Sequence, residues 1–264
     1  MGLQAAIAHV LVDDELRRQL VTQPEKIQSQ FVLSAEEMRL LCSSNPSHLD
    51  RMSHGIRAKR LDFLEKGLPC TVRAIGRQVL VEFARLTIPR TEAEEQGRVL
   101  AEARRFMAFV QNLPNARLPV YLRDLGEFEL NRLELGSMIA APSPATSQAL
   151  SDESVVCLVR HVRICKFQFD VVALTESEDV SIGAPPAGST AVLLRKDPVR
   201  GIVETYRIGE SVYAAFSLCT TPRRLSDLYL SIAPLDTDAE SRRSRLFESV
   251  RCALEKGILT RETA

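Results

Sequence analysis

The sequence has no tryptophan, and aromatic residues make up only 5% of its 264 positions. That scarcity argues against a function built on base stacking or a carbohydrate platform. Neither sign of charge is in excess: Lys and Arg number 34, as do Asp and Glu, so the formal net charge is zero. Global charge therefore offers no attraction to a nucleic acid backbone or to an anionic lipid surface. No uninterrupted apolar run approaches the ~20 residues that cross a bilayer. The opening stretch MGLQAAIAHVLVDDELRRQL has no basic n-region and meets acid at Asp13, unlike a secretory signal. Met1-Gly2 is followed by Ala6, where a myristoylation signal prefers Ser or Thr. Neither nucleic acid nor membrane is expected as a partner, and the expected location is cytoplasmic.

Chemistry-bearing patterns are equally sparse. The cysteines Cys42, Cys70, Cys157, Cys165, Cys219 and Cys252 form no CxxC pair and read as reduced, buried small hydrophobes. His9, His48, His54 and His161 show none of the spacings that put two ligands on one helix face, so no metal or other cofactor is expected on this chain by itself. GxSxG, P-loop, GxGxxG and HExxH are all missing, which removes the familiar local signatures of catalysis. Asp13-Asp14, Glu36-Glu37 and Glu94-Glu95 are adjacent carboxylates that diverge by about 100° on a helix and read as solvated helix starts. Cys157 and His161 would share one face of a strand, but about 13 Å apart. The chain reads as a binding component, not an enzyme by itself.

What is present falls into segments. Residues 1–50 carry short helical signals: Pro24 followed by Glu25 suits a first turn, and SAEE at Ser34 to Glu37 is a capping box. This segment reads as a helical lead-in. Residues 51–136 are helical in period. Val72, Ile75, Val79, Phe83 and Leu86 recur at three and four, then Val99, Ala103, Phe106, Met107 and Val110, then Leu118, Leu122, Leu125 and Leu133, the stripe of a helical bundle. Breaks fall at Gly67-Leu68-Pro69, at Pro89, and between Asn112 and Pro119. Arg57, Lys59, Arg60, Arg104 and Arg105 read as solvated faces among Glu94, Glu95 and Glu102. The stretch SMIAAPSPATSQALSDES supplies a linker over 137–154.

Residues 155–264 change character. VVCLVRHVRICKFQFDVVAL is rich in β-branched residues and should hold one or two strands. A polar loop with Gly183, Pro185, Pro186 and Gly188 follows. Then TAVLLRKD and GIVETYRI flank a turn with Pro198 and Gly201, the pattern of a β-hairpin. Three helices are expected next: around Val212, Tyr213 and Phe216, around Leu225, Leu228 and Ile232, and around Leu246, Val250, Ala253 and Leu254. Gly257 suits the C-cap, and a short apolar tail, Ile258-Leu259, ends the pattern. The expected fold is α+β, an N-terminal helical bundle followed by a small winged-helix-like domain.

Two stretches carry a resemblance. AIGRQVLVEFARLTIPRTE, RRFMAFVQ and LPVYLRDLGEFELNRLEL (74–135) are similar to the helical domain of a bacterial family once labelled putative DNA-binding. The family's aromatic-Leu-x-Asp-Leu-x-x-x-Glu core is matched by Tyr121, Leu122, Asp124, Leu125 and Glu129. Phe128 keeps an aromatic, whereas Leu130 stands where many members have a bulky ring. The tail from AVLLRKDPVRGIVETYRI to LFESVRCALEKGIL resembles the RiPP recognition element, the peptide-binding winged-helix module of ribosomal peptide pathways. Together the two stretches resemble the partner subunits of peptide-modifying iron enzymes, of the kind found in 3-thiaglutamate biosynthesis and, more distantly, in methanobactin biosynthesis. Chain length and the extra N-terminal helices sit closer to the former.

The resemblance implies a non-catalytic subunit that forms a heterodimer with a TIM-barrel multinuclear iron enzyme. The iron would belong to the partner subunit. The chain would bind the leader of a short precursor peptide and present its cysteine for oxidation, in the 3-thiaglutamate case with excision of the β-carbon of a C-terminal cysteine. It further implies that the leader adds as a strand beside Ile202, Val203, Glu204, Thr205, Tyr206, Arg207 and Ile208. The facing helix would run from Arg243 to Glu255, with Leu246 and Val250 lining the groove and Arg245 or Arg251 meeting a leader acid. Two other readings stand beside this one. A winged-helix transcription regulator would need a basic recognition helix, and RRLSDLYLSI turns apolar and acidic after Arg223-Arg224. A purely structural helical adaptor would bind no peptide.

Overall fold

The computed structural model describes residues 2–86, 97–140, 150–176, 187–232 and 239–262. The protein is α+β: a helical region comes first, and small antiparallel sheets with helices follow. Two compact units emerge, Met1–Gly126 and Glu127–Ala264.

In the first unit, four short helices, α1 (Leu3–Val12), α2 (Asp14–Thr22), α3 (Pro24–Phe31) and α4 (Ala35–Cys42), enclose Ala6, Val10, Ile27, Phe31 and Leu41. Local chemistry sets their ends. The Asp13 carboxylate accepts the N–H groups of Glu15 and Leu16 and starts α2, supplying a partner for donors that a helix start leaves orphaned. Pro24 opens α3. Ser34 and Glu37 form the expected capping box at α4. Arg17 donates to the carbonyls of Val10 and Leu11 at 2.9 and 3.1 Å, closing the C-terminal end of α1. One end is strained: α3 stops at Val32, which sits at φ 56° and is 76% exposed. A β-branched residue rarely adopts that left-handed conformation.

The long helix α5 (Pro46–Gly67) runs through the expected boundary at 50/51, because Asn45 caps it through the Ser47 N–H and Pro46 fixes its first turn. Leu68 then separates it from α6 (Pro69–Ala74). The stripe from Val72 to Leu86 is two helices, not one. Ile75 is extended, Gly76 serves as the cap, and α7 (Arg77–Ala84) starts afresh. Helix α8 (Arg98–Gln111) buries Ala103, Phe106, Met107 and Val110 as its period requires. A 3-10 turn over Asn115–Arg117 precedes α9 (Leu122–Ser137).

The arginine clusters are not all solvated. Arg60 is 4% exposed and pairs with Glu102, which is 2% exposed. Its Nη1 also donates to the carbonyls of Ala84 and Leu86 at 3.1 and 2.7 Å, and its guanidinium lies 4.5 Å from the Phe83 ring centroid. One buried cation thus ties α5 to α8 and to the end of α7. Taking such a charge out of water is tolerated only where partners surround it.

Among the described residues the second unit holds two three-stranded antiparallel sheets. Strands β1 (Val155–Leu158) and β2 (Val162–Phe169) are followed by a helix, α10 (Val171–Glu176). Next come β3 (Ala187–Lys196), β4 (Val203–Ile208) and α11 (Glu210–Leu218). The two-residue β5 (Arg223–Arg224) leads into α12 (Leu225–Ile232), and then α13 (Ala239–Glu255) and β6 (Leu259–Glu262) close the order. One sheet has the order β2-β3-β4 and the other β5-β1-β6. Gly188 lies in β3, not in a loop. The linker region begins as helix, since α9 extends to Ser137. Residues 141–149, Pro89, Glu94-Glu95, Gly183, Pro185 and Pro186 lie outside the described residues.

The end of α13 follows from Gly257 at φ 62°. The Gly257 N–H bonds to the Leu254 carbonyl and the Ile258 N–H to the Ala253 carbonyl, a Schellman arrangement in which glycine is favoured because the αL position carries no Cβ penalty. The chain then reverses, and the expected apolar tail is instead the strand β6, paired antiparallel with β1. A core of Val156, Leu193, Phe216, Leu225, Leu228, Leu246, Val250 and Leu259 joins strands from both sheets to helices α11 to α13.

Candidate functional site

The hairpin is built by its turn. The Asp197 carboxylate accepts the N–H groups of Val199 and Arg200 at 2.7 and 3.0 Å. These two bonds, the Arg200 one first, hold its carboxyl below the usual range. The Gly201 N–H bonds to the Asp197 carbonyl, and Gly201 takes φ 69°, a conformation glycine adopts without steric cost. The Asp197 N–H then meets the Ile202 carbonyl at 2.8 Å and closes the loop.

That closing bond fixes which groups of β4 face outward. The Lys196 N–H points the other way, to the His161 carbonyl beside β2. Because amide direction alternates along a strand, Arg195, Leu193 and Ala191 turn their main-chain groups toward β4. Their register partners are Glu204, Tyr206 and Ile208. The N–H and C=O groups of Val203, Thr205 and Arg207 therefore point away from β3. Among the described residues β4 is the edge of its sheet and no further strand pairs with it.

The side chains divide by face. Tyr206 and Ile208 pack against the core shared with the three helices. Glu204, in the same row, is held by Arg195 Nη1 at 2.9 Å and by the Tyr206 hydroxyl at 2.7 Å. Burial, followed by the adjoining Glu204 carboxylate, raises the Tyr206 pKa. The Lys256 ammonium, just beyond α13, stands 5.0 Å from the Tyr206 ring centroid. On the other face, Arg207 reaches Asp170 and Glu176 of the α10 segment at 3.2 and 3.6 Å. There too, Lys196 Nζ donates to the carbonyls of Gly136 and Met138. Phe128 packs edge-on against Phe167, with ring centroids 6.0 Å apart. Ile202 precedes the strand and is 52% exposed.

Helix α13 fits its expected part less well. Leu246 and Val250, expected to line a groove, are 5% and 0% exposed and belong to the core. Their apolar period packs against the core, with Phe247 and Leu254 of the same helix half-buried beside it. Arg245 and Arg251 are exposed, and Arg251 pairs with Glu248 three residues away. A lone lysine after a helix carries no signal in the sequence, and Lys256 stands out only once Tyr206 is seen beneath it.

The remaining candidates are dispersed. Cys157 lies in β1, whereas His161 lies in the turn before β2, so the two do not share a strand. His161 is buried, and desolvation first and Arg195 second lower its pKa. Cys42 and Cys252 are exposed, not buried, while Cys157 and Cys165 are half-buried. Burial pushes the Cys165 thiol up to about 11 and the Cys219 thiol up to about 12. Among the described residues no three His, Cys, Asp or Glu side chains gather as a metal-ligating group, and no helix is long and apolar enough to cross a membrane. The sequence matches no protein-family model, and no curated protein matches it.

Proposed function

We propose that this chain is the peptide-binding, non-catalytic partner subunit of a multinuclear iron enzyme that oxidises a cysteine on a ribosomally made carrier peptide. The observation that carries the reading is the open edge of β4, with Val203, Thr205 and Arg207 aiming their main-chain groups outward beside the end of α13. In support, the sheet β2-β3-β4 is followed by α11 to α13, with α10 inserted between β2 and β3 and β5 between α11 and α12; strands first and helices after is the order the reading expects of a RiPP recognition element. An extended leader adding there gains main-chain hydrogen bonds for affinity and alternate side-chain contacts for specificity. The carrier peptide's cysteine would then be presented to a TIM-barrel partner. The 3-thiaglutamate type of reaction, loss of the β-carbon from a C-terminal cysteine, is the form this reading takes. The reading places the metal on the partner and routes no step through this chain.

Co-expression with a candidate TIM-barrel iron enzyme from the same genome provides the test. The expected outcome is a heterodimer in size-exclusion chromatography burying roughly 2,000 Å² or more, as permanent complexes do, with iron found only in that complex. A stable monomer that ignores the co-expressed enzyme, or tight stoichiometric iron in the isolated chain, would overturn the reading.

A further inference from the structure

We infer that the strand that docks on β4 carries an acidic side chain opposite Tyr206, and that Lys256 is the residue that selects it. The inference rests on the docking reading above and adds the chemistry of the occupant.

The argument starts from register. A strand adding to the outer edge runs about 4.8 Å from β4 and alternates its side chains between the two faces. Its main chain bonds to Val203, Thr205 and Arg207, up to about six hydrogen bonds in all, since each carries one donor and one acceptor. The residue opposite Tyr206 then points to the same face as the Tyr206 ring. Side chains directly opposite in adjacent strands stand close enough to interact, and Lys256 Nζ already lies over that ring at 5.0 Å.

Charge decides what belongs there. Glu204 is committed to Arg195 and to the Tyr206 hydroxyl. On α13, Arg251 is paired with Glu248, and Glu255 also lies close enough to raise the Arg251 pKa. Near the other end of the same face, Lys166 is paired with Glu210. Lys256 has an aromatic ring beneath it and no carboxylate partner among the described residues. A basic peptide side chain would meet an ammonium and a Glu204 already satisfied. An Asp or Glu would meet a cation held in place by the ring, and like charges across a ladder are unfavourable where opposite ones help.

The test uses a random dodecapeptide display library selected against the full-length chain and, separately, against Lys256→Glu. Lys256 is exposed, so the variant should keep the parental circular dichroism. Peptides recovered on the parent should protect the amides of Val203, Thr205 and Arg207 from hydrogen exchange and share an Asp or Glu at one position. In Lys256→Glu they should bind about fivefold to tenfold more weakly, and exchanging the peptide acid for Lys should restore binding to the variant. Peptides that protect those amides but show no acid preference and bind Lys256→Glu as well as the parent would overturn this inference and leave the docking reading standing. A selection that yields no peptide protecting those amides would overturn both.

Discussion

The register of β4 makes a sharp claim about two neighbouring residues. In Thr205→Pro the lost N–H points away from β3, so the bonds at Glu204 and Tyr206 survive, and proline is compatible with an edge strand when its missing donor faces outward. The folded-state strain is partly offset by a stiffer unfolded chain, and the net cost should be under about 1 kcal/mol. In Tyr206→Pro the lost N–H faces the Leu193 carbonyl. Leaving that carbonyl unpaired costs about 1–3 kcal/mol. The half-buried ring and its bond to Glu204 add about 2 kcal/mol more. The two variants should therefore differ by about 3 kcal/mol, or roughly 1–2 M in the midpoint of urea unfolding if the slope is about 2 kcal/mol/M. Circular dichroism through a urea series measures this directly. A peptide that docks on the edge should meanwhile lose about tenfold or more in affinity for folded Thr205→Pro, followed by fluorescence polarisation, since one of its carbonyls is left facing a ring without a donor. Equal destabilisation by the two prolines would mean the register is slipped by one residue and that the outward groups belong to Glu204 and Tyr206. Undiminished peptide binding by Thr205→Pro would remove β4 as the docking strand.

Other parts of the molecule make separate claims. Arg60→Met takes one of two cations from the buried Glu102 carboxylate, which keeps Arg105 at 3.3 Å, and should lower stability by about 1–3 kcal/mol, against at most about 0.5 kcal/mol for exposed Lys59→Met; similar urea midpoints for the two would refute the buried pair. Val32→Asn replaces an exposed β-branched residue at positive φ and should raise stability by about 0.5–1 kcal/mol, so a loss in the same measurement would mean that Val32 does not hold this conformation. At pH 8 a thiol pushed to about 11 or about 12 stays protonated and unreactive. Disulfide-exchange labelling should therefore reach Cys42 and Cys252 first and leave Cys165 and Cys219 until the protein unfolds. Early labelling of Cys219, located by peptide mass, would contradict its burial.

Features governed by near neighbours were legible in the sequence. The capping box at Ser34 and Glu37, Pro24 at a first turn, Gly257 past a helix end and the hairpin around Gly201 all follow from contacts a few residues long. The break at Ile75 and Gly76 was hidden because the apolar period runs on through it from Val72 to Val79. Arg60 looked solvated because its carboxylate partner lies in another helix, and composition cannot tell a cation with a buried partner from one in water. Leu246 and Val250 show the limit most plainly. Periodicity identifies the apolar face of α13 but not that Leu246 and Val250 on it are buried in the core.

The pairing of β6 with β1 sets an order on the making of this protein. Leu158 waits for Leu259, about 100 residues later in synthesis, and distant pairings are the slow ones to form. As the ribosome extends the chain, the β2-β3-β4 sheet can assemble from neighbouring segments, while one side of β1 stays unpaired until β6 emerges. Deleting Leu259–Glu262 would leave Val155 to Leu158 with an open edge, and unpaired edges invite association with other chains. Quality control should treat a chain lacking β6 as misfolded.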